Sequence, residues 1–132
     1  MPPMSAAALL AQARTRYPHS RPVLYAQLAG MVDTGKNQEA AAQLVEAVRS
    51  YPNDPRLLVL QSKAYAALGK RLLQHQVQAE VYVLQGSLPA AIEQLSLARA
   101  AGDGDFYQLS VIDARLKELR TQHTQDTKDQ KR

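Results

Sequence analysis

Apolar positions in this chain recur at steps of three and four, the spacing that lines up side chains on one face of a helix. Ala40, Leu44 and Ala47 keep it, as do Ala91, Leu95 and Ala98, and the stretch DFYQLSVIDARLKELR carries Leu109, Ile112, Leu116 and Leu119. Breaks between the helices are marked just as clearly. Proline cannot continue a helix, so Tyr17-Pro18 and Tyr51-Pro52 end the segments before them. Asp54 can cap the next helix while Pro55 occupies its first turn, where no amide donor is missed. Gly35, Gly69 and Gly86 suit the left-handed conformation that terminates a helix. Near the C-terminus, Asp103 or Asp105 can cap the final helix. The opening MPPMSAAALLAQARTRYP has no basic segment before its short apolar patch, and reads as a first helix rather than a signal peptide.

These punctuation marks repeat. The two Tyr-Pro pairs lie 34 residues apart, and so do Gly35 and Gly69. A fixed period of that length points to stacked helical hairpins. Residues 21–54, RPVLYAQLAGMVDTGKNQEAAAQLVEAVRSYPND, resemble a tetratricopeptide repeat, with Gly35, Ala40, Leu44, Ala47 and Pro52 at the pattern's places. One period earlier stand Ala6, Leu10, Ala13 and Pro18, the second helix of a preceding unit. The small alanines let neighbouring helices approach closely. Gly86 follows Gly69 by only 17 residues, half a repeat, so KRLLQHQVQAEVYVLQ reads as one helix serving two units. Gln74 and Gln78 depart from the pattern on that helix, and Gln27 and Leu28 depart from it in the central unit.

The expected fold is all-α: a tetratricopeptide-repeat solenoid of about seven antiparallel helices, with a half-repeat overlap and a C-terminal capping helix. It would occupy residues 1–121. Residues 122–132 have no large apolar side chain and are expected to form a disordered polar tail.

Composition agrees with helices. The apolar residues are largely Ala and Leu, with one Phe and no Trp. No apolar run approaches the ~20 residues of a membrane span. Absence of cysteine excludes disulfides and thiolate chemistry. The net charge of +4, from 16 basic and 12 acidic residues, is spread along the chain. It lacks the stripe of cations and aromatic platforms typical of nucleic-acid binders.

Catalytic chemistry has no candidate residues, and neither a metal nor a cofactor is expected. His19, His75 and His123 fall in a turn, a helix and the tail; Glu80 follows His75 by five residues, off its face, and no HExxH occurs. The GDGD at 102–105 is too short and ligand-poor for a calcium loop and reads as a cap and turn. What remains is a surface. In repeats of this kind the first helix of each pair lines a groove for segments of other proteins. By position the groove residues are Tyr25, Ala29 and Val32, then Arg56, Val59 and Lys63, then Gln76, Glu80 and Val83. The floor is apolar at one end and charged at the other. Tyr25, Val32 and Val59 can equally be read as core. Repeats that grip chaperone C-terminal carboxylates use Lys and Asn where Tyr25 and Ala29 stand, so that kind of clamp is not expected.

The half-repeat overlap followed by DFYQLS and ARLKELR resembles the C-terminal domain of BepA-like bacterial zinc metallopeptidases, over residues 5 to 121. Those are periplasmic proteins with an HExxH protease domain ahead of tetratricopeptide repeats. The resemblance implies a non-catalytic domain that docks the protease onto outer-membrane protein assembly machinery or misassembled clients. Its expected partner is a protein or peptide segment, with no nucleic acid and no membrane insertion, and in isolation an interrupted solenoid can pair as a homodimer. The catalytic domain and export signal are missing from the sequence. The alternative is therefore a free-standing cytosolic adaptor or self-associating scaffold that shares the repeat.

Overall fold

The computed structural model describes residues 4–131, and these form seven helices with no strand among them. In chain order they are α1 (Ala6–Arg16), α2 (Arg21–Asp33), α3 (Asn37–Ser50), α4 (Pro55–Ala67), α5 (Arg71–Leu84), α6 (Leu88–Ala100) and α7 (Phe106–Gln130). Each packs on its sequence neighbours, and α2 also touches α4. This arrangement is compatible with a helical repeat.

Three of the turns use one device. Gly35, Gly69 and Gly86 have φ of 81°, 70° and 77°, in the left-handed region that favours glycine. The residue after each returns its N–H to a carbonyl five residues back: Lys36 to Met31 at 2.8 Å, Lys70 to Tyr65 at 3.0 Å and Ser87 to Tyr82 at 2.9 Å. That bond satisfies a carbonyl at the end of the finished helix. The next helix starts at once, and its first amides need acceptors from elsewhere, because Lys36, Lys70 and Ser87 supply no side-chain cap.

For α5 the acceptor comes from far along the chain. Asp103, in the α6–α7 loop, accepts from the amides of Arg71 at 2.8 Å and Leu72 at 3.1 Å. Asp105 caps α7 in a reciprocal box with Gln108. The two aspartates offered as caps for the last helix thus cap different helices. Gly104 lies between them with its backbone against the Leu72 side chain, where a Cβ would collide.

The core is two clusters. Leu24, Leu28, Ala40, Leu44, Leu57, Ala64 and Tyr65 anchor the first; Leu72, Ala79, Ala91, Leu95, Ile112, Leu116 and Leu119 anchor the second. Leu73 of α5 packs against both. The alanine expectation holds in the interior, where Ala40, Ala91 and Ala98 are fully buried. It fails in α1, which buries no residue; Ala6 is exposed, and Leu10 and Ala13 are half-buried. Helix α1 packs only on α2, so one side of its apolar face lacks a neighbour. Gln78, out of pattern, faces Ser62 of α4 at 3.5 Å. Residues 122–130, expected to form a disordered tail, continue α7, where side-chain bonds such as Gln125 to Asp129 follow helical spacing. Arg132 lies outside the described residues.

Replacing Asp103 with alanine removes the only side-chain acceptor at the α5 start among the described residues. Urea denaturation should show a loss of about 1 kcal/mol, whereas Asp33→Ala, at the end of α2, should change stability by less than about 0.5 kcal/mol.

Candidate functional site

The YPNDP turn between α3 and α4 builds the most interconnected polar site on the surface. Asp54 is its centre: its side chain is 4% exposed, and it accepts from the amides of Arg56 at 3.0 Å and Leu57 at 3.4 Å. The Tyr25 hydroxyl donates to its other oxygen, and Arg21 approaches that oxygen at 3.5 Å. A carboxylate removed from water is costly unless it is paired and hydrogen-bonded, and here every neighbour is a donor. The bond to Asp54 raises the Tyr25 pKa above its ordinary value, with desolvation acting in the same direction. Arg21 then lies over the Tyr51 ring at 4.0 Å, and Arg56 over the Tyr25 ring at 5.3 Å.

Holding the Tyr25 hydroxyl at the turn stands its ring up as a wall. Opposite it, α4 presents Pro55, Arg56, Val59 and Leu60, and the small side chain of Ala29 leaves the floor low. The result is an open cleft of about 420 Å³ with almost wholly apolar walls. That volume is within the range of small-ligand and side-chain pockets.

Four of the nine groove residues expected from sequence line this cleft: Tyr25, Ala29, Arg56 and Val59. Val32 and Tyr25 are half-buried and pack against the first core cluster, while Val59 is exposed. Lys63 is exposed one turn beyond Val59 on the same face of α4, outside the cleft. The α5 residues Gln76, Glu80 and Val83 are half-buried and lie outside it too. Val83 packs on the second core cluster. Glu80 is held by Arg115 of α7 through Nε at 2.8 Å and Nη2 at 2.9 Å, and this bidentate bond raises the arginine's pKa. Its charge is spent inside the fold. His75, from the same helix, pairs with Gln94 at 2.9 Å.

Sequence reading missed Leu60 and Pro55 as lining. Leu60 stands four residues after Arg56, so the helical period does signal it. Nothing local signals Tyr25 to Asp54 or Glu80 to Arg115, whose partners lie 29 and 35 residues apart.

The site is also electrically lopsided. Helix α4 contains no acidic residue, and α2 has only Asp33 at its end. Among the described residues neither Arg56 nor Lys63 has a carboxylate partner. No helix of the described residues is long and apolar enough to cross a membrane. Comparison with protein-family models and with curated proteins finds no match for the chain.

Asp54→Ala should cost about 2–3 kcal/mol in urea denaturation, since it removes both a cap and a buried acceptor. Tyr25→Phe should cost about 1 kcal/mol. Because the folded state raises the Tyr25 pKa, its contribution is fully present below the ordinary tyrosine value of about 10. It is lost as pH rises through the folded value, so the gap between wild type and Tyr25→Phe should shrink with alkalinity.

Proposed function

We propose that this chain is a protein-interaction domain of the tetratricopeptide-repeat kind, holding a peptide segment of a partner in the cleft between α2 and α4. In its native setting it docks a zinc metallopeptidase onto outer-membrane protein assembly machinery or misassembled clients. One observation carries the binding part: Tyr25, Ala29, Arg56 and Val59, expected on a groove and separated by a whole intervening helix, meet around one open apolar cleft. Hydrophobic walls that remain open offer a partner side chain the same gain as burial in a core, about 25 cal/mol per Å² of apolar surface. The docking role rests on the sequence resemblance, and the missing protease domain is then a matter of which part of a longer protein this chain represents.

A photo-crosslinking residue at Val59 in native cells tests the cleft. It should yield a discrete protein adduct that disappears in an Ala29→Trp background, where the indole fills the floor. The same crosslinker at Val45 of α3, exposed at 38% and outside the cleft lining, should not give it. Identical adducts from both positions would reject the groove. An immunoblot of fractionated cells tests the parent. A band several times larger in the periplasmic or membrane fraction supports a docked protease; one of this chain's own size in the cytosol rejects it and leaves an adaptor.

A further inference from the structure

The cleft is asymmetric in charge, and its own acid has been turned inward. Asp54 is screened by two backbone amides, the Tyr25 hydroxyl and Arg21. Glu80, the one carboxylate expected on the groove from sequence, is closed by Arg115. What faces outward is cationic: Arg56 at one end of the cleft and Lys63 beyond the other, on the same face of α4. Arg56 is already placed over a ring, and that leaves its in-plane N–H groups free for a forked bond to a carboxylate.

We infer that the occupant is an acidic peptide segment: its apolar side chain enters between Tyr25 and Val59, and its side-chain carboxylates meet Arg56 and Lys63. The inference rests on the groove reading above and adds the partner's charge to it. Seven residue steps separate the two cations along α4, a rise of about 10 Å. Carboxylates that far apart on one side of the partner reach both. A basic segment would meet the same apolar walls but bring its charges against unpaired cations.

Fluorescence anisotropy on the full chain tests this with three short labelled peptides. The first is composed of leucine, alanine and glutamate; the second replaces every glutamate with lysine; the third replaces every leucine with serine. The glutamate peptide should bind about tenfold tighter than its lysine twin, and the serine peptide should bind more weakly than either leucine-bearing parent. The preference should narrow as salt is raised from about 0.01 M to about 1 M, which shortens the screening length from about 30 Å to about 3 Å. Arg56→Glu with Lys63→Glu should reverse it, with the far-ultraviolet circular dichroism unchanged. Equal binding of both charged peptides, abolished by Ala29→Trp, would overturn the acidic inference and leave the groove standing. Binding that ignores Ala29→Trp, or no binding at all, would overturn both.

Discussion

Helix α5 has to bury apolar side chains on two sides at once, and the rest of the molecule is arranged around that demand. Its Leu72 and Ala79 sit in the second cluster, while Leu73 and Val77 pack against the first. Because it contributes side chains to both clusters, α5 couples the two halves of the core. Polar residues on α5 are therefore drawn into the interior and must find partners there. Gln78 meets Ser62, His75 meets Gln94, and Glu80 meets Arg115, each on a different neighbouring helix. These bonds tie α5 to α4, α6 and α7.

Asp54 plays the corresponding part at the turn between α3 and α4. A buried polar network contributes fully only when every member is satisfied. One carboxylate there starts α4, orients Tyr25 and neutralises Arg21. The apolar cleft is a by-product of that polar arrangement, since the ring that walls it is held by its hydroxyl. Stability and the shape of the cleft are thus specified by the same few atoms.

The parts of this structure legible in the sequence are those with local causes. Helix period, proline stops and glycine turns act over a handful of residues, so the seven helices and the turn at Asp54 could be read directly. Burial of Ala40 and Ala91 followed from the same period. The repeat also called for burial in α1, and there it misled, because a terminal helix has the pattern but lacks the neighbour. The groove was legible only in part for a related reason. Tyr25, Ala29, Arg56 and Val59 meet because α2 and α4 touch, whereas the fate of Glu80 was decided by Arg115 on a helix two elements away. Polar segment 122–130 shows the opposite error: lack of apolar residues removes a reason to pack, but leaves the backbone free to continue an established helix.

The reach of Asp103 back to α5 has a consequence in time as well as in space. Synthesis delivers the amides of Arg71 and Leu72 some 31 to 32 residues before the carboxylate that satisfies them. At translation rates of about 5–20 residues per second, that is a delay of roughly two to six seconds. During it the first two amides of α5 lack the side-chain acceptor they have in the finished fold. Placement of the α6–α7 loop then supplies Asp103 to the start of α5, beside Leu72 of the second cluster. A local bond can form as soon as its residues are made, whereas this one has to wait for the chain to return.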